Sequence, residues 1–211
     1  MRTYLFDFDG TLVDSMPTFC RTMLSILDEG GIKYGDDITK IITPLGYSGT
    51  ADYFIKLGLC MPHDAVIAKM HGYARVDYRD TIPAKPNVIE VLTELRARGC
   101  SLNVLTASPH EMLDLCLMRL GIFGLFDNVW SCDDFGTTKT NPEIYKMAAA
   151  RLGVSVGEVT FLDDNPEAGK TAKSAGMRVI GVFDGSSSEF EDEMRAVCDG
   201  YIHDFKEVLE E

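Results

Sequence analysis

The sequence lacks the apolar run of about 20 residues that a membrane-spanning helix needs. It also contains no internal repeat and no low-complexity segment. Its first apolar stretch carries Arg2, Asp7 and Asp9, which a secretory signal peptide would not have there. The six cysteines are widely scattered and form no CxxC pair, a pattern typical of reduced thiols. We therefore expect a cytoplasmic protein with no membrane partner.

Basic residues are scarce in this chain. Lys and Arg total 20 against 33 Asp and Glu, and the formal net charge is −13. Such a charge argues against nucleic acid or an anionic membrane as the main partner. It does not exclude a small anionic substrate, because a metal ion and one lysine can make a site locally positive. The four histidines have no metal-ligand spacing, so neither they nor the cysteines indicate a zinc or iron site.

What the sequence does contain is a regular alternation of short apolar strands with helices. Strands are predicted over residues 3–8 and in "SLNVLTA", "FDNVWS", "EVTFLDD" and "RVIGVF". This order indicates an α/β fold with a doubly wound parallel, Rossmann-like sheet. Residues 15–79 show helical spacing instead. We predict an α/β core of residues 1–14 and 80–211, with an all-α domain inserted at residues 15–79. The segment "DGSSS", residues 184–188, reads as a surface loop.

The first strand raises a question, because "YLFDFDGTLVDS" places two aspartates in an apolar segment. In a parallel sheet, ligands bind at the carboxyl ends of the strands. Asp7 and Asp9 are two residues apart, so on a strand they would share a face. A simple turn at Asp9 and Gly10 would explain one acid but not both. Two nearly buried carboxylates are costly unless they are paired or bind a cation.

Two further segments place polar groups beside helix starts. Thr106 ends the second predicted strand just before a helix N-terminus, where backbone N–H groups favour an anion. Ser108 begins "SPHE", which matches a capping box and would give Ser108 a structural role. Lys139 precedes the helix of "NPEIY", and a lysine at that end of a helix gains only if an anion lies nearby. The alternative for Lys139 is a solvated loop residue.

The strand "EVTFL" ends on Asp163 and Asp164. Asp164 could cap the next helix together with Glu167, which would leave Asp163 beside it with a like charge. A divalent cation would explain both acids. If these strands form one sheet, four acids, one lysine and one hydroxyl meet at one edge, and oxygen ligands alone favour Mg²⁺.

This set of groups suits phosphoryl transfer. Asp7 would attack phosphorus and form an aspartyl phosphate. Asp9 would protonate the leaving oxygen and then deprotonate the water that hydrolyses the intermediate. Lys139 and Mg²⁺ would neutralise the charge on the phosphoryl oxygens.

Four segments resemble, in order, the motifs of the haloacid dehalogenase-like hydrolases, and this resemblance covers essentially the whole chain. They are "DFDGTLVDS", "VLTAS", Lys139 with "TNPEIY", and "FLDDNPEAGKTAKSAG". The resemblance implies Asp7 as nucleophile, Asp9 as acid and base, Thr106 on the phosphoryl group and Lys139 bridging to Asp7. It also implies Mg²⁺ held by the Asp7 side chain, the Asp9 carbonyl and an acid of the fourth motif.

Two motifs depart from the family pattern. In the fourth, Asp164 matches the first of the usual two aspartates, while the second falls on Ala168. We therefore assign Asp164 as a direct metal ligand, and Asp163 as a second ligand or an acid just outside the coordination sphere. In the third, Thr140 stands where proline is usual, which should alter the loop rather than the chemistry. The first two motifs also supply candidate substrate-binding residues: Gly10, Thr11, Ala107 and Ser108.

The predicted insertion lies between the first and second motifs, where the family places a helical cap. Such caps close over small phosphorylated metabolites and set specificity. Within it, "TPLGYSGT", residues 43–50, provides Thr43 and Gly46 as candidate substrate-binding residues. The alternative reading of this segment is a Gly/Pro turn between two helices.

True dehalogenases similar to this family lack the second acid of the first motif, so the presence of Asp9 favours a phosphatase. We predict a Mg²⁺-dependent phosphatase for a small phosphorylated metabolite such as phosphoglycolate or a sugar phosphate. One alternative is a phosphomutase of the β-phosphoglucomutase type, which shares every motif. An alternative of another class is a non-catalytic phosphate-binding or regulatory domain. No particular oligomeric state is indicated.

Overall fold

The computed structural model describes residues 2–210, apart from the side chain of Pro44. The chain divides into two compact units, Met1–Asp14 with Pro83–Glu211 and Ser15–Ile82. The second junction therefore lies after Ile82, whereas the sequence predicted it between residues 79 and 80. The difference arises because a long helix, His63–Asp80, continues past residue 79 and Ile82 behind it is buried.

The larger unit is built on a six-stranded sheet with the order β3-β2-β1-β4-β5-β6. All neighbouring strands are parallel, which confirms the predicted α/β fold. The five predicted strands are present, and a short sixth strand lies at the edge of the sheet, beside β5. The strands are β1 (Thr3–Phe6), β2 (Ser101–Thr106), β3 (Asn128–Ser131), β4 (Val159–Asp163), β5 (Arg178–Val182) and β6 (Gly200–Ile202).

Both faces of the sheet are covered, so β1 is buried along its whole length and β4 at every residue except Thr160. On one face Leu5 and Phe161 pack into a core with residues of the helices that flank β4. On the other face Phe6 contacts the rings of Phe126 and Phe205. The helices of this unit are α5 (Val88–Ala97), α6 (His110–Arg119), α7 (Glu143–Leu152), α8 (Pro166–Ala175) and α9 (Glu191–Val197).

The smaller unit, residues 15–82, contains helices joined by turns and irregular segments, and no strand. Its core is formed by apolar residues that include Met23, Phe54 and Met70. The segment at residues 43–50 is not a loop, because a 3-10 turn over Thr43–Leu45 leads directly into a helix that begins at Gly46. The helices are α1 (Met16–Glu29), α2 (Ile38–Ile42), α3 (Gly46–Lys56) and α4 (His63–Asp80).

Among residues 2–210, every helix is too short or too polar to cross a lipid bilayer. Each of the six cysteines carries a free thiol.

Candidate active site

The register of the central strands brings the carboxyl ends of β1, β2 and β4 to the same level. Phe6, the last residue of β1, pairs with Val104 of β2 and Leu162 of β4. Asp7 follows Phe6 and continues the ladder, because its N–H donates to the carbonyl of Leu162 at 2.8 Å. The strand is shorter than the predicted residues 3–8, so Asp9 lies in the turn that follows.

Lys139 lies between two buried carboxylates. Its Nζ is 2.6 Å from Oδ1 of Asp7 and 2.7 Å from Oδ2 of Asp163. The lysine side chain is 13% exposed, so it is not the solvated loop residue that the sequence left as an alternative. The hydroxyl of Tyr145 lies 3.0 Å from the carbonyl of Lys139 and 3.1 Å from that of Ala168, which anchors the backbone of the lysine to α8.

The ionisation of Asp7 and Lys139 is set by burial and by the neighbouring charges. Burial raises the pKa of Asp7 from 3.8 to about 7, although Lys139 acts in the opposite direction. Burial alone would lower the pKa of Lys139, but Asp163 and Asp7 together outweigh it and raise that pKa well above its usual range. Lys139 is thus a fixed positive charge shared by two acids.

The fourth motif places its two aspartates differently. Asp163 is buried and has both oxygens engaged, with Oδ1 accepting from the N–H of Asn165 at 2.7 Å and Oδ2 accepting from Lys139. Asp164 accepts a bond from the hydroxyl of Thr11 at 3.1 Å. Burial and the charges of Asp163 and Asp7 raise the pKa of Asp164 well above its usual range.

The sequence offered Asp164 as a possible helix cap, and the structure shows that this is wrong. Asn165 caps α8, because its side chain accepts from the N–H groups of Glu167 and Ala168. The carboxylate of Asp164 is therefore available for other contacts.

The cluster has the donor chemistry of a site for a hard divalent cation. Asp7, Asp163 and Asp164 each offer one carboxylate oxygen, and these three atoms lie within 4.8 Å of one another. Carboxylate oxygens are the ligands that Mg²⁺ prefers. The raised pKa values of Asp7 and Asp164 also indicate a cation site. Carboxylates crowded together in a buried site are stabilised either by taking up protons or by binding a cation. The residues present therefore fit Mg²⁺.

Asp9 is linked to the second motif. The hydroxyl of Ser108 donates to Oδ2 of Asp9 at 2.5 Å, and the N–H of Ser108 donates to Oγ1 of Thr106 at 3.0 Å. The predicted capping box at Ser108 is therefore wrong, because the serine side chain points to Asp9 and α6 has no side-chain cap. Thr106 is buried, whereas Ala107 is exposed.

Gly10 fills a position that other residues could not occupy. Its φ is +74°, and a Cβ added there would lie 2.5 Å from Oδ2 of Asp164. The first and fourth motifs are therefore in direct contact through Gly10 and Thr11. Both residues were predicted to bind substrate, and the structure places them against Asp164.

Gly10→Ala should lower any activity that depends on this site by about tenfold or more, since the new methyl group would displace the carboxylate of Asp164. Gly153→Ala is the matched control, because Gly153 has a φ of +71° with nothing within 4 Å of its added Cβ. Both changes should cost about 1 kcal/mol of stability for the left-handed backbone. Thermal unfolding and steady-state kinetics test this, and equal activity in the two variants would contradict it.

Comparison with known proteins adds an independent observation. The sequence model of one protein family, described as haloacid dehalogenase-like hydrolase, matches residues 1–176. The chain belongs to this family. The resemblance drawn from the four motifs, and the prediction of an enzyme of the hydrolase class, are thereby confirmed.

Several haloacid dehalogenase-like relatives are similar over most of this chain. Pyrophosphatase PpaX of Bacillus velezensis is 30% identical over 84% of this chain and 81% of its own. Validoxylamine A 7'-phosphate phosphatase of Streptomyces hygroscopicus subsp. limoneus is 26% identical over 97% and 94%. A crystal structure of a "predicted phosphoglycolate phosphatase" from Haemophilus somnus has a TM-score of 0.85 at 21% identity and covers 100% of this chain and 97% of that one. That likeness shows the fold.

Two of the proposed substrate-binding residues lie in the smaller unit. Thr43 donates its hydroxyl to the carbonyl of Thr39 at 2.7 Å, inside a helical turn. Gly46 is exposed at the start of α3. Their assignment to substrate binding stays a prediction.

Sequence reasoning missed three polar residues that make contacts inside this haloacid dehalogenase-like core. They are Tyr145, which holds the backbone of Lys139, and the ion pair of Lys85 and Asp184. Asp184 belongs to the segment that we predicted as a surface loop, yet it is buried and begins a 3-10 turn. Since β5 ends at Val182, the rule that located Asp7 and Asp163 at strand ends would also have located Asp184.

Proposed function

We propose that the protein is a Mg²⁺-dependent phosphatase that hydrolyses a small phosphorylated metabolite through an aspartyl phosphate on Asp7. The observation that supports this best is the position of Asp7, buried at the end of β1 with Lys139 at 2.6 Å and an acidic cluster around it. The names of two relatives are consistent with it, because one is a pyrophosphatase and the other a phosphatase of validoxylamine A 7'-phosphate.

In the first step an oxygen of Asp7 attacks phosphorus, the bond from phosphorus to the ester oxygen breaks, and Asp9 gives a proton to the leaving oxygen. In the second step Asp9 takes a proton from water, the water oxygen attacks phosphorus, and inorganic phosphate leaves Asp7. The bond from Ser108 orients the Asp9 carboxylate for both transfers. Thr106 accepts from the N–H of Ser108, and its own hydroxyl would donate to a phosphoryl oxygen of the substrate.

Lys139 contributes a fixed positive charge next to the attacking oxygen and neutralises charge on the transferred group. Asp7, Asp164 and the carbonyl of Asp9 would hold Mg²⁺, which supplies further neutralisation of the phosphoryl oxygens when it is bound. Both oxygens of Asp163 already accept hydrogen bonds. We therefore assign Asp163 to the positioning of Lys139 rather than to direct coordination.

Removal of the metal should abolish the reaction. We expect the purified protein to release phosphate from a generic aryl phosphate in the presence of Mg²⁺, and to lose at least about 99% of that activity in EDTA. A colorimetric phosphate assay measures this, and restoration by excess Mg²⁺ is the control for damage by the chelator.

A panel of sugar phosphates, phosphoglycolate and pyrophosphate then identifies the substrate class. Transfer of phosphate between sugar phosphates without release would favour the phosphomutase. Neither release nor transfer from any compound, with Mg²⁺ bound, would favour the non-catalytic binding domain and contradict the proposal.

A further inference from the structure

A partly buried lysine outside the four motifs, Lys85, is bonded to the loop that follows β1. Nζ of Lys85 donates to the carbonyl of Gly10 at 2.6 Å, to the carbonyl of Phe183 at 2.5 Å and to Oδ2 of Asp184 at 3.1 Å. An ammonium group has three N–H donors, so all three are used. Its side chain is only 15% exposed. Lys85 therefore ties the first motif to the end of β5.

Asp184, the acidic partner of Lys85, is also fixed by hydrogen bonds. The side chain of Asp184 is 4% exposed. Its Oδ2 accepts from Lys85, and its Oδ1 accepts from the N–H and the hydroxyl of Ser186 at 2.9 and 2.5 Å. Burying a carboxylate is costly without such partners, and the bonds from Lys85 and Ser186 offset that cost for Asp184.

The backbone around Lys85 is also fixed. Its N–H donates to the carbonyl of Leu12 at 3.0 Å, and the preceding residue, Ala84, forms an antiparallel bridge with Val13. The ammonium group thus reaches Gly10 from a segment that is itself paired with the first motif.

Gly10 is the point at which this attachment affects the site. It follows Asp9 directly, and its Cα packs against the carboxylate of Asp164 with no room for a methyl group. A shift of the Gly10 carbonyl would move Asp9 on one side and Thr11, which bonds Asp164, on the other. The position of one carbonyl oxygen therefore controls two of the acids in the proposed mechanism.

We propose that Lys85 is a positioning residue, which holds the Gly10 carbonyl so that Asp9 and Asp164 keep the geometry needed for metal binding and proton transfer. Asp184, which follows the end of β5, balances the positive charge of the lysine. This inference rests on the proposed phosphatase function for its kinetic part, whereas its metal-binding part is measured without turnover.

The competing explanation is that Lys85 and Asp184 form a buried ion pair that only stabilises the fold. A variant that lacks the charges of both Lys85 and Asp184 distinguishes the two explanations. A buried pair can often be replaced by neutral groups without loss of stability, while removal of one partner leaves an uncompensated charge. In the double variant Lys85→Met with Asp184→Asn no charge is left unpaired, yet the carbonyl of Gly10 still lacks its donor.

The experiment compares wild type, Lys85→Met, Asp184→Asn and the double variant. Each is assayed for its denaturation midpoint, for kcat and KM on aryl phosphate, and for Mg²⁺ binding to the metal-free protein by calorimetry. Lys146→Met is the matched control, because Lys146 pairs with Glu143 on the exposed surface of α7.

We expect Lys85→Met to lose stability, and the double variant to regain most of it. In both, Mg²⁺ affinity should fall about 10- to 100-fold and kcat about tenfold or more, with little change in KM. In Asp184→Asn, Lys85 still donates to both carbonyls. The kcat of this variant should therefore stay within a factor of about three of wild type, a smaller loss than the removal of a positioning contact causes. The surface control should behave as wild type in every assay.

Recovery of kcat and Mg²⁺ affinity together with stability in the double variant would overturn the inference and leave a purely structural ion pair. If wild type hydrolyses no phosphate but binds Mg²⁺ with an affinity that both Lys85→Met proteins lose, the phosphatase proposal fails and the positioning role stands. If wild type does not bind Mg²⁺ at all, the positioning role is overturned as well.

Discussion

Asp7→Asn should reduce phosphate release by about 10⁴-fold or more, because an amide oxygen cannot form the acyl phosphate that the two-step reaction requires. Acid quench of the wild-type enzyme with labelled substrate should trap phosphate on the protein, and the variant should trap none. Asp133→Asn, at an exposed aspartate of the same unit, is the control and should retain full activity.

The stability of Asp7→Asn should not fall together with its activity. Since burial raises the pKa of Asp7 from 3.8 to about 7, the folded metal-free protein holds a proton there that the unfolded chain has lost. The contribution of Asp7 to stability is therefore present at low pH and lost as the pH rises through about 7. At pH 8 without metal, Asp7→Asn should be at least as stable as wild type in urea denaturation. An inactive variant that is also unfolded would show only a structural role, and a fully active one would indicate direct attack of water on the ester.

The α/β fold was predictable from the sequence because its signal is repeated. Each core strand is a short apolar run followed by a helix, so a single error would not change the class of fold. β6, with three residues, was missed because so short a strand has no recognisable period. The helical turn at Thr43–Leu45 was missed because Gly and Pro near it are typical of loops as well as of helix ends.

The site was predictable as a set of residues but not as a set of contacts. Local pattern rules gave a capping role to Ser108 and offered one as an alternative for Asp164, and the structure shows other contacts for both. Ser108 bonds Asp9, which is distant along the chain, and Asn165 has taken the cap that Asp164 could have provided. Polar side chains near helix starts have two possible partners, and the sequence around them describes only the local one.

Lys85 and Asp184 illustrate a different limit. The lysine stands alone in "IPAKPNV", and the aspartate opens a segment rich in Ser and Gly, so each has the sequence context of a solvated residue. Only the sheet order, which places β5 beside β4, and the return of the chain beside Leu12 bring them together. Buried ion pairs between distant segments leave no periodic signal along the chain.

Lys139→Met should be the most destabilising single change at the site. Lys139 compensates Asp163, which is fully buried, and Asp7, so its removal leaves two carboxylates without their cation. The loss of one partner from a buried pair costs about 3–5 kcal/mol. Activity should fall by about 10³-fold or more as well, since the fixed charge beside the attacking oxygen is gone. Lys170→Met is the control, because Lys170 pairs with Glu167 and Glu193 on the surface, where an ion pair contributes about 1 kcal/mol or less.

The pH dependence of the stability lost in Lys139→Met distinguishes the electrostatic effect of the lysine from the packing of its side chain. Lys139 lowers the pKa of Asp7, so in the variant that pKa rises further above its unfolded value and the folded state takes up protons more readily. The stability deficit of Lys139→Met should therefore shrink as the pH falls from 8 to 6, and Mg²⁺ should reduce it at pH 8 by supplying the missing positive charge. Urea denaturation at both pH values, with and without Mg²⁺, measures this. A deficit that is the same under all four conditions would mean that the lysine stabilises the core through its aliphatic chain, and the electrostatic account of the site would have to be abandoned.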